Sequence, residues 1–249
     1  MSTDTMTQAE ATTTTFTVTA SAFTAGVEWG KASASTDQTL PVLTGILLEW
    51  GQSPDHYTAR HGKRKDVPAN GLTMVATDRY ALTWATVPIE SDAPEAGRVL
   101  LPAKELASIV KAWPKRGRGM TDNEVTVTVN STPAGVPLTV TIECLVMGQP
   151  VATNVLRPVM GEFPQYRKLV PAFEDGSGSP AGLAFDAGKL SKLLTAAVKA
   201  SGEKHAAVSL RAGGSPDTYS DKPIAIAVHV PYDHPVKLSG LLMPVRLAS

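Results

Sequence analysis

The stretch Ala76-Thr77-Asp78-Arg79-Tyr80-Ala81-Leu82 decides how this chain is read. One apolar run, Leu72 to Val75, precedes it, and another, Thr83 to Val87, follows it. β-Branched and aromatic residues flank the charged pair Asp78-Arg79, which suits two strands joined by a tight turn. Taken alone, the stretch reads as a β-turn whose Asp caps its own backbone. Upstream, the polar segment from Gln52 to Asn70 carries Arg60, His61, Lys63, Arg64 and Lys65 and reads as a long hairpin loop. Before that loop, Pro41 and Gly45 bracket an apolar run, Val42 to Leu48, of strand length. Further back, Ser21 caps a helix from Ala22 to about Ala32, with Phe23 and Val27 on one face and Gly26 as a weak point. Phe16–Thr19 alternates like a strand. Residues 1–15, rich in Ser and Thr, read as a disordered tail. Residues 16–92 therefore spell strand, helix and three strands.

Downstream the pattern begins again over residues 97–171. Val99-Leu100-Leu101-Pro102 ends a strand, with Pro102 opening a second helix, Ala103 to Trp113. Glu124–Val129 and Pro137–Glu143 alternate as strands around a turn at 133–135, and Thr153–Val159 is a further strand. Prolines in Glu162-Phe163-Pro164-Gln165-Tyr166-Arg167-Lys168-Leu169-Val170-Pro171 forbid a helix. Residues 172–181 form a Gly/Ser linker. A third unit fills residues 182–249: strand Leu183–Phe185, helix Ala187–Ala200, then strands Ala207–Leu210, Ile224–Val230 and Lys237–Leu247. Three copies of a βαβββ unit make an internal repeat. No copy can bury its helix and sheet faces alone, so the copies are expected to share sheets and cores in an α+β fold.

Composition excludes several functions. Of the 249 residues, 43% are hydrophobic and 18% charged, as in ordinary globular proteins. The single cysteine, Cys144, forms no internal disulfide, and with five scattered His it makes no zinc pattern, so a reducing cytosolic setting is the default. No apolar run spans a membrane, and no signal peptide is visible. Neither a phosphate-binding Gly-rich loop, a nucleophile elbow, a metalloprotease helix nor a catalytic pair of carboxylates is present. The reading is a protein that does no chemistry and needs no cofactor or metal.

Charge is informative by its distribution. The windows 101–118 and 187–204 hold nine basic residues, Lys104, Lys111, Lys115, Arg116, Arg118, Lys189, Lys192, Lys199 and Lys204, against Glu105 and Glu203. That is a net charge of +7 in a chain with 23 of each sign. At about 100° per residue, Lys189, Lys192 and Lys199 share a helix face opposite Leu190, Leu193, Leu194 and Val198. Lys without base-reading Asn or Gln suits phosphates rather than sequence, although a solvated helix face has the same pattern.

With these parts in view, a family resemblance stands out. Thr39-Leu40-Pro41-Val42-Leu43-Thr44-Gly45-Ile46, Ala76–Leu82 and Glu162–Pro171 resemble, in order and spacing, the central domain of bacterial DNA sliding clamps, the β subunit of DNA polymerase III. Val99–Leu106 is similar to that domain's second helix entry, and Leu242-Met243-Pro244-Val245-Arg246-Leu247 to the clamp's C-terminal end. The family's chain has three domains of two βαβββ halves each. Here three halves are counted: a complete clamp-like domain, 16–171, and one C-terminal half, 182–249. Arg79 stands where small residues also occur in the family, and residues 51–70 look like an insertion.

The resemblance implies a DNA clamp fold with helices on an inner face and sheets on an outer one. It implies a homo-oligomeric ring that encircles double-stranded DNA without sequence preference, with the nine basic residues facing DNA. It also implies an apolar pocket for peptides of a DNA polymerase and a clamp loader. The matching positions are Leu43, Thr77, Arg79, Tyr80, Leu82, Pro164, Lys168, Leu169, Leu241, Met243, Pro244, Val245 and Arg246. Walls of Leu, Met, Val and Pro with polar rims suit an extended peptide, though strand ends also need such residues for packing. The first reading is a shortened sliding clamp and processivity factor in a bacterial cytoplasm, of a kind a phage would encode. The second is a clamp-like adaptor or decoy that forms no ring and uses the same pocket. An unrelated enzyme is the third.

Overall fold

The computed structural model describes residues 11–51, 71–92, 94–114, 122–168, 185–203, 206–212, 223–230 and 236–244. Eleven strands and three helices follow in order among them: β1 (Thr12–Thr19), α1 (Ala20–Ser33), β2 (Gly45–Trp50), β3 (Gly71–Thr77), β4 (Ala81–Pro88), β5 (Gly97–Pro102), α2 (Ala103–Ala112), β6 (Glu124–Ser131), β7 (Pro137–Val146), β8 (Gln149–Leu156), α3 (Ala187–Ser201), β9 (Ala207–Ala212), β10 (Ile224–His229) and β11 (Lys237–Leu242). Single 3-10 turns occur at Pro41–Thr44 and Tyr166–Lys168.

Two antiparallel sheets hold the strands. One has the order β1-β6-β7-β8 and the other β5-β2-β3-β4-β11-β10-β9. The first two units exchange their leading strands. β1 pairs with β6 of the second unit, and β5 pairs with β2 of the first. This is the sharing of sheets that three incomplete units require. The third unit joins through its last strand, β11, which pairs with β4, the last strand of the first unit. The helices cover one face of the sheets, and α1 lies between α2 and α3. One core cluster runs through all three units, from Phe16 and Phe23 through Leu48, Met74 and Leu106 to Leu193 and Leu238.

Local chemistry explains the borders. α1 starts at Ala20 rather than Ala22, because the Thr19 side chain, not Ser21, accepts from Ala22 N–H at 3.4 Å. Gly26 is no weak point: α1 sits so close to β3 that a Cβ there would come within 2.4 Å of Met74 Sδ. The apolar run places Val42–Thr44 in a strand, but Pro41 sets a 3-10 turn first and β2 begins at Gly45. α2 ends at Ala112, one residue before Trp113, and β8 lies at Gln149–Leu156 rather than 153–159 because the turn at Met147-Gly148 starts it earlier. Among the described residues of this proline-bearing segment, 162–168, there is no α-helix, only a 3-10 turn at Tyr166–Lys168. Thr12–Thr15 are strand rather than tail, since these β-branched residues pair with Thr128–Ser131. Phe185 is not in a strand, the last strand stops at Leu242, and residues 1–10, 52–70, 169–184 and 245–249 lie outside the described residues.

The junction of β4, β11 and α1 is closely stitched. Trp29 Nε1–H donates to the Ser239 carbonyl at 2.8 Å inside the core. Ser33 Oγ–H donates to the Ala76 carbonyl at 2.9 Å, and Thr83 Oγ1–H to the Trp29 carbonyl at 3.3 Å. Gly240 permits the approach of β11 to β4, as a Cβ there would meet the Leu82 carbonyl at 2.9 Å.

Candidate functional site

The two sheets differ on the face away from the helices. In the four-stranded sheet that face is polar and solvated, with burial alternating along β6 and β7. In the seven-stranded sheet β2 and β3 are buried on both faces. Leu47, Val75, Leu82, Leu100 and Leu241 form a second apolar layer there, and Phe163 and Tyr166 lie over it. Continuous apolar runs in β2 and β3, instead of alternation, cause this two-sided burial.

The segment 157–168 is held on that layer by polar ties. Val159 N–H donates to the Leu100 carbonyl at 2.8 Å. Glu49, buried near the end of β2, accepts from Tyr166 Oη–H at 2.5 Å and from Arg167 Nη2–H at 2.8 Å. A buried carboxylate is costly without such partners. Burial, and then the hydrogen bond to Glu49, push the Tyr166 phenol well above its ordinary value of 10.0. Phe163 meets Tyr166 edge-on at 6.3 Å between centroids.

Next to this layer lies the β3–β4 turn. Asp78 Oδ1 accepts from Tyr80 N–H at 3.0 Å and Ala81 N–H at 2.8 Å, so the Asp does cap its own turn. Thr77 Oγ1–H donates to the Ala81 carbonyl at 2.8 Å and accepts from Arg79 N–H at 3.1 Å. These bonds hold Arg79 at φ 78°, a left-handed conformation that costs a non-glycine residue on the order of 1 kcal/mol. The strain turns Tyr80 outward, where it is 59% exposed. The end of β11 runs alongside. Leu241 pairs with Leu82, Leu242 with Ala81, and Met243 N–H donates to the Tyr80 carbonyl at 2.8 Å.

From α3, Lys189 reaches the same turn. Its ammonium donates to Asp78 Oδ2 and lies 4.8 Å from the centroid of the Tyr80 ring. Together these residues line a cleft of about 410 Å³, bordered also by Asp37, Leu40, Leu43, Arg79 and Lys192. Hydrogen bonds from Thr39, with the charge of Arg79 as a smaller cause, hold the Asp37 carboxyl below its usual range. The cleft thus joins an aromatic face, aliphatic walls and charges of both signs.

Of the pocket residues expected from sequence, Leu43, Arg79 and Tyr80 line this cleft. Thr77 shapes its turn, and Leu82 and Leu241 belong to the apolar layer beside it. Met243 and Pro244 follow at the end of β11, half-buried, and Pro164 is exposed next to Phe163. The Lys168 side chain, Leu169, Val245 and Arg246 lie outside the described residues. Among the residues expected to face DNA, Lys104, Lys111, Lys192 and Lys199 are exposed on the helices, while Lys115, Arg116, Arg118 and Lys204 are outside the described residues. Lys189 is half-buried in its ion pair, and it joins the cleft rather than standing free on the helix face. Glu49 is the site residue that sequence reasoning did not single out; Phe163, Tyr166 and Asp78 lie in segments that carry the resemblance but were not among the named pocket positions, and Lys189 was named as facing DNA. An acidic residue inside the run Gly-Ile-Leu-Leu-Glu-Trp was the available signal for Glu49.

This architecture is that of the DNA sliding clamps. The structure superposes on the DNA polymerase sliding clamp from Bacillus subtilis with a TM-score of 0.60 at 14% identity, covering 94% of this chain and 64% of that one. It is similar to the DNA polymerase III β subunit from Thermotoga maritima, also with a TM-score of 0.60, at 18% identity, covering 100% of this chain and 70% of that one. The chain therefore spans about two thirds of the length of these clamps. No family model and no curated protein sequence matches it. No helix among the described residues is long and apolar enough to cross a membrane, and none of their acidic, His or Cys side chains group as metal ligands.

Proposed function

We propose that this protein is a compact sliding clamp: a non-enzymatic processivity factor that encircles duplex DNA as a homo-oligomer in the bacterial cytoplasm and tethers a polymerase by a short peptide. The observation that carries this reading is the meeting of Ala76–Leu82 with Leu241–Met243 beside an apolar layer and a cleft. Two segments more than 150 residues apart in sequence converge on one concave, amphipathic place. An extended peptide with apolar anchors fits such a surface, with Tyr80 and Met243 as anchoring walls and Arg79 and Lys192 as its charged rim. Gross apolar burial of ~400 Å² offset by ordering of both partners points to micromolar affinity.

Deleting Met243–Ser249 is expected to abolish binding of a polymerase-derived peptide measured by fluorescence anisotropy. Met243→Ala is expected to weaken it by about 1–3 kcal/mol. A folded deletion variant, verified by circular dichroism, that binds as tightly as the intact chain would place the pocket elsewhere. For DNA, Lys104, Lys111 and Lys199 are the proposed phosphate contacts to test, with Lys189 left out because Asp78 already pairs it and Lys192 because it borders the cleft. Changing all three to Ala is expected to lower the salt slope of binding to nicked circular DNA by roughly 3. An unchanged slope with peptide binding intact would favour an adaptor that shares the pocket but encircles nothing.

A further inference from the structure

The cleft at the β3–β4 turn carries more positive charge than the fold uses. Among the described residues that line it, the cations Arg79, Lys189 and Lys192 meet only the carboxylates of Asp37 and Asp78. Lys189 and Asp78 neutralise each other in their ion pair. Asp37 Oδ1 is engaged in its own loop, where it accepts from Thr39 N–H at 2.9 Å and from Thr39 Oγ1–H at 2.7 Å. The charge of Arg79 is felt at Asp37 without a hydrogen bond or ion pair between them. Among the described residues, neither the Arg79 guanidinium nor the Lys192 ammonium has a hydrogen-bonding or ion-pair partner, and both residues are exposed. They reach the cleft from separate elements, the turn and α3. Arg79 also stands in a conformation that its side chain does nothing to offset. Its φ of 78° lies in the left-handed region, where glycine, asparagine and aspartate are the usual residues. The bond that fixes this conformation, from Arg79 N–H to Thr77 Oγ1, is a backbone bond that glycine makes equally well. An exposed side chain without a partner recovers none of the strain, and strain of this kind collects where a protein meets its ligands.

We propose that Arg79, seconded by Lys192, makes this cleft select acidic peptides: segments in which an Asp or Glu stands within a few residues of apolar anchors, its carboxylate held by the Arg79 guanidinium. The neighbouring walls say what accompanies the carboxylate. The Tyr80 ring carries the Lys189 ammonium 4.8 Å from its centroid, and the side chains of Leu40 and Leu43 add aliphatic surface in the same cleft. A guanidinium grips a planar carboxylate with two parallel hydrogen bonds, and an ammonium beside it adds a point charge. An oligonucleotide brings phosphates to the cations but no aliphatic groups to Leu40 and Leu43, whereas an acidic peptide with Leu-like anchors satisfies both kinds of surface. Lys189 is a positioning residue here, since Asp78 takes up its charge and its ammonium holds the Tyr80 ring. Asp37 sets the strength of the selection, because its carboxylate competes with the ligand for Arg79.

The selection rests on the peptide-binding reading proposed above, and one peptide series separates the failure of each. Short fluorescein-labelled peptides with blocked ends carry a pair of Leu at alternate positions and a single Asp moved through the remaining positions, each with an Asn twin. In anisotropy titrations of the full chain at about 50 mM NaCl, at least one Asp peptide is expected to bind roughly fivefold more tightly than its twin, and the ratio is expected to fall towards one at about 1 M, where exposed charge pairs are screened. Arg79→Gly is expected to bring the ratio to about one with a nearly unchanged urea midpoint, because relief of the positive φ offsets the added freedom of glycine in the unfolded chain. Arg79→Gln serves if that variant fails to fold. Arg79→Lys keeps the charge without the fork and is expected to retain a ratio of about two. Asp37→Asn, whose Oδ1 still accepts from Thr39, is expected to raise the ratio about twofold. Twins that bind alike at every position overturn the selection and leave the peptide pocket standing. A ratio that persists in the Arg79→Gly and Arg79→Gln proteins overturns it as well, since the carboxylate then sits elsewhere. If no peptide of either kind binds, the pocket reading fails and the selection falls with it. Twins that bind alike while a single-stranded oligonucleotide displaces them from the wild type, but not from Arg79→Gly, identify phosphate as the anion and also overturn the inference.

Discussion

Both sheets are antiparallel, yet their faces away from the helices have opposite character. On the four-stranded sheet that face is a lattice of hydroxyls and amides. Thr13 donates to Asn130 at 3.1 Å, Thr15 and Thr128 share a bond of 3.2 Å, and Asn130 donates to Thr139 at 3.3 Å. On the seven-stranded sheet it is Leu47, Val75, Leu82, Leu100 and Leu241 under Phe163 and Tyr166. Neither solution is required by the core on the helix side, which runs under both sheets. The difference teaches that a second buried layer is an addition to the fold. It is placed where a segment must be held and, in the proposed function, where a partner's apolar side chains arrive.

One substitution in each layer breaks the comparison most sharply. Leu47→Asp buries an unpaired carboxylate at a 4% exposed position of a central strand. The expected loss exceeds about 4 kcal/mol in urea unfolding, enough to unfold a marginal protein. Thr128→Val, on the polar lattice, is expected to change stability by less than about 0.5 kcal/mol. Comparable losses for both would mean that the polar face is as tightly packed as the apolar one. Phe163→Ala comes next. It removes most of the lid over the apolar layer at a 7% exposed site, and about 3–5 kcal/mol is the usual range for such a truncation. If the loss is below about 1 kcal/mol, under the usual range for a buried aromatic, the segment 157–168 is only draped over the sheet.

Much of this contrast was readable in the strands themselves. Glu-Val-Thr-Val-Thr-Val-Asn-Ser in β6 alternates, and the structure buries one of its faces; Gly-Leu-Thr-Met-Val-Ala-Thr in β3 has apolar residues at both phases, and both faces are buried. The turn at Asp78 and the strands on either side of it were legible because turn chemistry is local. The exchange of β1 and β5 was not, since nothing in a strand's pattern says which sheet receives it. Thr12–Thr15 read as tail because Ser/Thr richness resembles one, while pairing with β6 exploits the same β-branched residues. Lys189 was placed on a helix face by its angle, but an angle does not name a neighbour, and Asp78 comes from a distant turn. Glu49 was missed: an acidic residue next to an apolar run is a signal for a buried partner, but the sequence does not say that Tyr166 and Arg167 supply it.

The smallest expected effect lies in that same cluster and is distinguished by its pH dependence. Tyr166→Phe removes one donor to Glu49 and leaves Arg167 at 2.8 Å. The expected cost near pH 8 is about 1 kcal/mol, since the carboxylate keeps a charge-assisted bond. In the native protein the phenol ionises far above 10.0, whereas the unfolded chain releases its proton near that value. Below pH 10 both states hold the proton and the group adds no slope. Above it the unfolded state alone gives the proton up, so wild-type stability falls with pH, by up to about 1.4 kcal/mol per unit. The Phe variant lacks this term. Its deficit is therefore expected to shrink between pH 10 and pH 11, to the point where the variant equals or exceeds the wild type. Urea midpoints at pH 8, 10 and 11 for the two proteins measure this, and the other tyrosines cancel in the difference. A deficit that stays constant across the three pH values would mean that Tyr166 ionises as easily in the native protein as in the unfolded chain, and that the hydrogen bond to Glu49 does not hold the segment in solution.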